Sequence, residues 1–164
     1  MSNPRQEWQT PADLWEVLDA EFEFQIDVAA ENYNTKCCDF LTPDIDALGS
    51  KPASDWVLGG TYRAFCNPGF ANLLPWMMRA HAEAQTSPSA VVVVMGLVSP
   101  STKWWRFCAE NASEIRLLSP GVQFEPPTGS DIKSGKNSRE NCVVVFRRKM
   151  EYSPSARIWT WRWR

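Results

Sequence analysis

The sequence predicts one α/β domain spanning residues 1–164 with a mostly parallel sheet. Three observations carry that prediction. Residues 89–98, SAVVVVMGLV, form an unbroken apolar run rich in β-branched side chains, the pattern of a strand covered on both faces. Residues 141–149, NCVVVFRRK, open in the same way. Around these runs strand-like and helix-like segments alternate, an order that right-handed crossovers turn into parallel strands with helices on the faces. A chain of 164 residues is the length of one domain with one core.

The elements follow in order. Thr10 is expected to cap a first helix, Pro11 to take its first position, and Asp13 to favour its positive end. Leu14, Trp15, Leu18 and Phe22 recur at roughly helical spacing, so one face of that helix is buried. Residues 22–30, FEFQIDVAA, alternate Phe22, Phe24 and Ile26 and predict a strand ending near Asp27. Residues 31–60 carry repeated turn signals in LTPDIDAL and GSKPASDW. A strand to Cys66, the turn FCNPGF and a helix over 71–85 come next. After the buried run, SPSTKWWRFCAENA predicts a helix capped by Ser101, and EIRLLS a strand. A polar loop at 128–141 precedes the second buried run. The end, ARIWTWRWR, alternates Trp159, Trp161 and Trp163 on one face with Thr160, Arg162 and Arg164 on the other, and the tryptophans are expected to be the buried face of a strand.

Composition excludes several classes. No apolar run approaches the roughly 20 residues of a membrane-spanning helix. The start, MSNPRQEWQTP, lacks the apolar core of a signal peptide. The five cysteines (37, 38, 66, 108 and 142) form no metal-binding pattern with the single histidine, so no zinc site is expected. Reduced thiols in a bacterial cytoplasm are expected instead. His81, between two alanines in a helix, is expected to pack rather than catalyse. Charge is uneven. Residues 1–131 hold 8 basic and 17 acidic side chains, whereas residues 132–164 hold 9 basic and 2 acidic. The basic segment fits either a polyanion-binding edge or a solvated terminus.

In parallel sheets ligands bind outside the carboxyl ends of the strands, which puts Asp27, Asn67 and the 98–101 turn on one rim. At that rim lies Phe65-Cys66-Asn67-Pro68-Gly69-Phe70. An exocyclic amino nitrogen on a nucleobase is a poor nucleophile, because its lone pair is delocalised into the ring. To alkylate it, an enzyme must hold the amino group by acceptors that favour a tetrahedral nitrogen. Asn67 offers a side-chain oxygen and Pro68 a carbonyl on a backbone of fixed φ. Phe70 can stack on a base turned out of a duplex. The same tetrapeptide is also a good turn signal.

These pieces, together with the blocks EWQTPADLWEVLDAEFEFQIDVAAENYNTKC, LTPDIDAL, LPWMMRA, STKWW, VQFEPP and CVVVF, resemble the compact Dam-type DNA N6-adenine methyltransferases of phages and prophages. The resemblance runs through most of the chain. It implies a Rossmann-like, S-adenosylmethionine-dependent domain acting on double-stranded DNA. It also implies that Asn67, Pro68, Gly69 and Phe70 form the catalytic loop. Trp8, Thr10 and Pro11 would then lie beside the cofactor's methionine end. Asp27 and Ala29 would form the first cofactor loop, with Asp46 by the adenosine.

Lys103 and Arg106, and Lys133, Lys136 and Arg139 of the polar loop, are the candidate DNA contacts, with Arg157, Arg162 and Arg164 as further possibilities for the backbone. Three positions depart from the family pattern: Gly69 replaces a second proline, GLVSPS a Leu-Pro, and Gly121 an arginine. They leave open an adenine methyltransferase, a relative kept as a DNA- or protein-binding module, and an enzyme for another amino group such as that of cytosine.

Overall fold

The computed structural model describes residues 8–49, 56, 62–127, 139–150 and 153–164. Its strands are β1 (Ile26–Asp27), β2 (Asp39–Phe40), β3 (Arg63–Cys66), β4 (Val91–Leu97), β5 (Glu114–Ser119), β6 (Asn141–Arg147) and β7 (Arg157–Arg162). They form one seven-stranded sheet in the order β2-β1-β3-β4-β6-β5-β7. Every strand runs the same way except β6, which is antiparallel to both of its neighbours. The expected mixed α/β architecture on a mostly parallel sheet is therefore present.

The pleat sorts the buried side chains into two layers. Val92 and Val94 of β4 and Cys142, Val144 and Phe146 of β6 pack under α2 (Leu74–Gln85) and α3 (Lys103–Asn111), against Met77, Ala80, Trp104 and Cys108. Val91, Val93, Met95, Val143 and Val145 pack on the other face under α1 (Ala12–Phe22), against Leu14, Leu18 and Phe22. Both β4 and β6 lie mid-sheet with helices on each side, which is why neither shows an apolar–polar alternation in sequence. The same burial hides direction. β5 ends at the carboxyl rim, Ser119, and β6 starts from that rim, with Asn141 opposite Leu97. The chain between them thus begins and ends on one edge, so β6 must run back across the sheet.

Three local expectations are corrected. The strand over FEFQIDVAA shrinks to Ile26–Asp27. Phe22 closes α1, Glu23 turns the chain in a left-handed conformation, and Phe24 stacks on Trp15 with ring centroids 5.3 Å apart. The aromatic alternation thus comes from a helix end and a packed loop. Thr10 does not cap α1: Pro11 occupies the N-cap position and no side chain caps it. For α3 the cap is Thr102 rather than Ser101, its Oγ1 accepting from Trp105 N at 3.3 Å.

At the far edge β7 pairs in parallel with β5. Trp159 and Trp161 are half-buried and Trp163 is buried, while Arg162 and Arg164 are exposed, so the alternation expected there holds. These tryptophans share their layer with Arg116 of β5, whose guanidinium lies 5.4 Å from the Trp159 ring centroid and 5.1 Å from that of Trp161. Arg116 also grips Glu21 of α1 through two bonds of 2.6 Å. His81 packs edge-on to Phe107 and Phe146, at 5.7 and 6.2 Å, as a packing residue would. Among the described residues no helix is long and apolar enough to cross a membrane.

Candidate active site

From β1 the chain moves outward to β2, then returns to the other side of β1 for β3. The reversal opens a crevice at the carboxyl ends of β1 and β3, where open α/β sheets bind ligands. Asp27 ends one of these strands and Asn67 follows the other.

Asp27 is buried, 4% exposed. Its Oδ1 accepts from Ala29 N at 3.3 Å and its Oδ2 from Lys36 N at 3.1 Å, so the carboxylate organises the loop that follows β1. Burial pushes its pKa up to about 6, against the opposing pull of those two N–H groups and the Lys36 charge. Asn34 stiffens the same loop by accepting from Glu31 N at 2.7 Å.

A cavity of about 280 Å³ opens beside this loop. Ala29 and Asn34 line it from one side, Asp46 and Leu48 from the segment after β2, and Asn67, Pro68 and Gly69 from the turn after β3, with Trp76 of α2 closing it. A smaller recess of about 20 Å³ lies against Trp8, Thr10, Asp27 and Lys36. Ala29, Asn34 and Asn67 line both, so the two spaces adjoin at Asn67. Sequence reading missed Asn34, Leu48 and Trp76. Trp76 sits in LPWMMRA, where a large aromatic near a helix start reads as core.

The turn after β3 is arranged for accepting hydrogen bonds. Asn67 Nδ2 donates to the Trp8 carbonyl at 3.3 Å and to Thr10 Oγ1 at 3.1 Å. Among the described residues, its Oδ1 and the Pro68 carbonyl accept none. Gly69 N–H likewise donates to no described acceptor, so a proline there would break no hydrogen bond among the described residues. Phe70 does not line either cavity. It is half-buried and meets Phe124 edge-on at 5.8 Å, which fixes its ring on the VQF segment. Pro11 also lines neither space and acts at the start of α1.

The basic side chains are divided between the two edges of the sheet. Lys103 and Arg106 are exposed on the first turn of α3, which follows β4 at the rim, and Arg139 is exposed just before β6 at the same rim. Lys133 and Lys136 lie outside the described residues. Because β6 is reversed, Arg147 comes to the opposite edge, beside Val91. Arg157 is also on that edge, beside Glu114, and packs on Trp159. Arg162 reaches the rim beside Ser119, and Arg164 pairs with Asp13 and stacks on Trp163. The basic terminal segment is therefore not one continuous polyanion-binding edge. A Cβ at Gly121 would meet nothing within 4 Å, so packing does not exclude the larger side chain of the family pattern there.

A family model described as DNA N-6-adenine-methyltransferase (Dam) matches residues 1–160. The DNA N-6-adenine-methyltransferase of Haemophilus phage HP1 (strain HP1c1) is 30% identical over 151 residues, which cover 88% of this chain and 80% of the phage protein. The family match takes in every residue of both cavities and the helices beside them, not one short motif. The chain belongs to the DNA N-6-adenine-methyltransferase (Dam) family.

Proposed function

We propose that this DNA adenine methyltransferase takes its methyl group from S-adenosylmethionine and acts on an adenine turned out of duplex DNA, with Asn67 and Pro68 as the acceptors for the N6 amino group. The observation that carries the reading is a pair of acceptors, Asn67 Oδ1 and the Pro68 carbonyl, that take no hydrogen bond from any described residue and lie where the two cavities meet at the crevice. Two N–H bonds directed at two acceptors draw the nitrogen toward a tetrahedral shape and localise its lone pair for attack. The low dielectric of a half-buried site strengthens both bonds. Phe70, held by Phe124, then acts at the margin of the base rather than beneath it.

The larger cavity approaches the size range of small-molecule sites, and its lining suits an adenosine. Trp76 and Leu48 offer flat apolar contact, and Asp46 offers a carboxylate to hydroxyl donors. Asp27, with Ala29 on its loop, supplies negative charge toward a cationic methionine end, while Trp8 and Thr10 close the recess. When bound, the cofactor would supply an electrophilic methyl group on a sulfonium. The strand order, with one reversed strand next to the edge pair β5–β7, supports a Rossmann-like methyltransferase domain.

Labelled-methyl transfer to unmethylated DNA tests the reading. Asn67→Ala is expected to lower kcat roughly 100-fold or more, with cofactor affinity changed by no more than about twofold. Gly69→Pro, run alongside, is expected to retain or raise activity. Wild-type turnover by Asn67→Ala would remove the catalytic assignment, and product nucleoside analysis separates adenine from cytosine.

A further inference from the structure

Asn67 carries two chemically different atoms at the end of its side chain, and its surroundings decide which one is left for substrate. The Trp8 backbone carbonyl can only accept. The side-chain atom 3.3 Å from it must therefore bear hydrogen, since an oxygen there would set two lone-pair surfaces against each other. Thr10 Oγ1 takes the other amide hydrogen at 3.1 Å. Because the amide is planar, holding both hydrogens turns Oδ1 away from residues 8–10.

The clamp has its own support. Thr10 is 2% exposed, and its hydroxyl caps no helix, so no competing local role explains it. Gln9, between the two clamp residues, exchanges both backbone hydrogen bonds with Glu125, at 2.9 and 3.0 Å. The residue before Glu125 is Phe124, which holds Phe70.

We propose that the Trp8 carbonyl and Thr10 Oγ1 are positioning groups that fix Asn67 Oδ1 as the acceptor for the substrate amino group and make position 67 specific for an amide over a carboxylate. The inference rests on the reading of Asn67 as that acceptor. A carboxylate at 67 would press an oxygen on the Trp8 carbonyl and leave no donor for it unless protonated. Asp27 and Lys36, the titratable groups that line the same recess, act on both forms.

The test uses the full-length protein in labelled-methyl transfer, with cofactor affinity measured separately by calorimetry. Thr10→Val, nearly isosteric, is expected to lower kcat at saturating cofactor roughly tenfold, while the DNA KM stays within about twofold. Thr10→Ser is expected to restore most of the rate, which a merely space-filling role would not require. Asn67→Asp is expected to be strongly impaired at pH 8. Its kcat relative to wild type should rise as pH falls and the carboxyl at 67 takes up a proton, and Asn67→Asp combined with Asp27→Asn separates that rise from the response of Asp27. Wild-type kcat in Thr10→Val, with Asn67→Ala inactive, would overturn the clamp and leave the catalytic assignment standing. Full activity in Asn67→Ala would overturn both. Should Thr10→Val fail to fold by thermal melting, Asn67→Asp decides alone: wild-type kcat at pH 8 would sink the amide requirement.

Discussion

Asp27 shows how burial at one residue can couple to ligand binding. Its pKa of about 6 means that the free protein holds the proton more tightly than an unfolded chain does. This group therefore favours folding below its ordinary value of 3.8, and the benefit is lost as pH rises through 6. A cationic cofactor end has the opposite preference, because it favours the carboxylate. Cofactor affinity is thus expected to hold above pH 6 and to weaken by up to about tenfold per pH unit below it, with proton release on binding. Calorimetry in buffers of different ionisation enthalpy checks this, and Asp27→Asn should flatten the profile. Flat affinity from pH 5 to 7.5 in the wild type would show that Asp27 does not meet the cationic end. Asp27, Asn67 and Pro68 were all legible in the sequence, since they stand at strand ends. The partner of Thr10 was not: capping is a local inference, and Thr10 bonds a side chain 57 positions away.

Among the elements, α1 is fastened to β5 and β7 through the Arg116 guanidinium. Arg116 is 4% exposed, grips Glu21 by two bonds, and also reaches Glu114 at 3.2 Å. Phe22, Trp159 and Trp161 surround its guanidinium, with the Phe22 centroid 5.2 Å away. One side chain thus joins α1, β5 and β7. Arg116→Met is expected to cost about 2–3 kcal/mol in urea unfolding. That is below the range for a fully buried pair, because the Glu21 side chain remains 42% exposed and keeps its water. Methyl transfer at low temperature should be little changed, since the clasp lies away from Asn67. The TWRWR alternation announced the buried tryptophans. Nothing local announced that an arginine from another strand lies among them, because the pairing of β7 with β5 is a long-range fact. The caps failed for a similar reason: Ser101 and Thr102 are adjacent hydroxyls, and only the backbone direction selects between them.

For the whole molecule, the reversal of β6 decides where positive charge can meet DNA. Summed along the sequence, residues 132–164 are strongly basic; in space, Arg139 and Arg162 stand at the rim, and Arg147 and Arg157 at the opposite edge. Arg106→Ala and Lys103→Ala are expected to weaken DNA binding and to reduce the salt dependence of log Kd by about one for each lost phosphate contact. Arg147→Ala should leave that slope unchanged; an equal loss at both edges would contradict docking at the rim. Parallel sheet and rim could be read from hydrophobic runs and turn signals, but strand direction could not, because a strand buried on both faces has the same composition either way. The Gln9–Glu125 bridge bears on the time at which function appears. Residues on either side of Gln9 hold the Asn67 side-chain amide, and the backbone bridge from Gln9 to Glu125 forms only once the chain beyond β5 exists. A nascent chain that has emerged only as far as β4 already carries the whole tetrapeptide, yet lacks the Glu125 backbone that bridges to Gln9. With the clamp proposed above, competence to methylate is expected as a late event of synthesis and folding, reached when contacts of long sequence separation close.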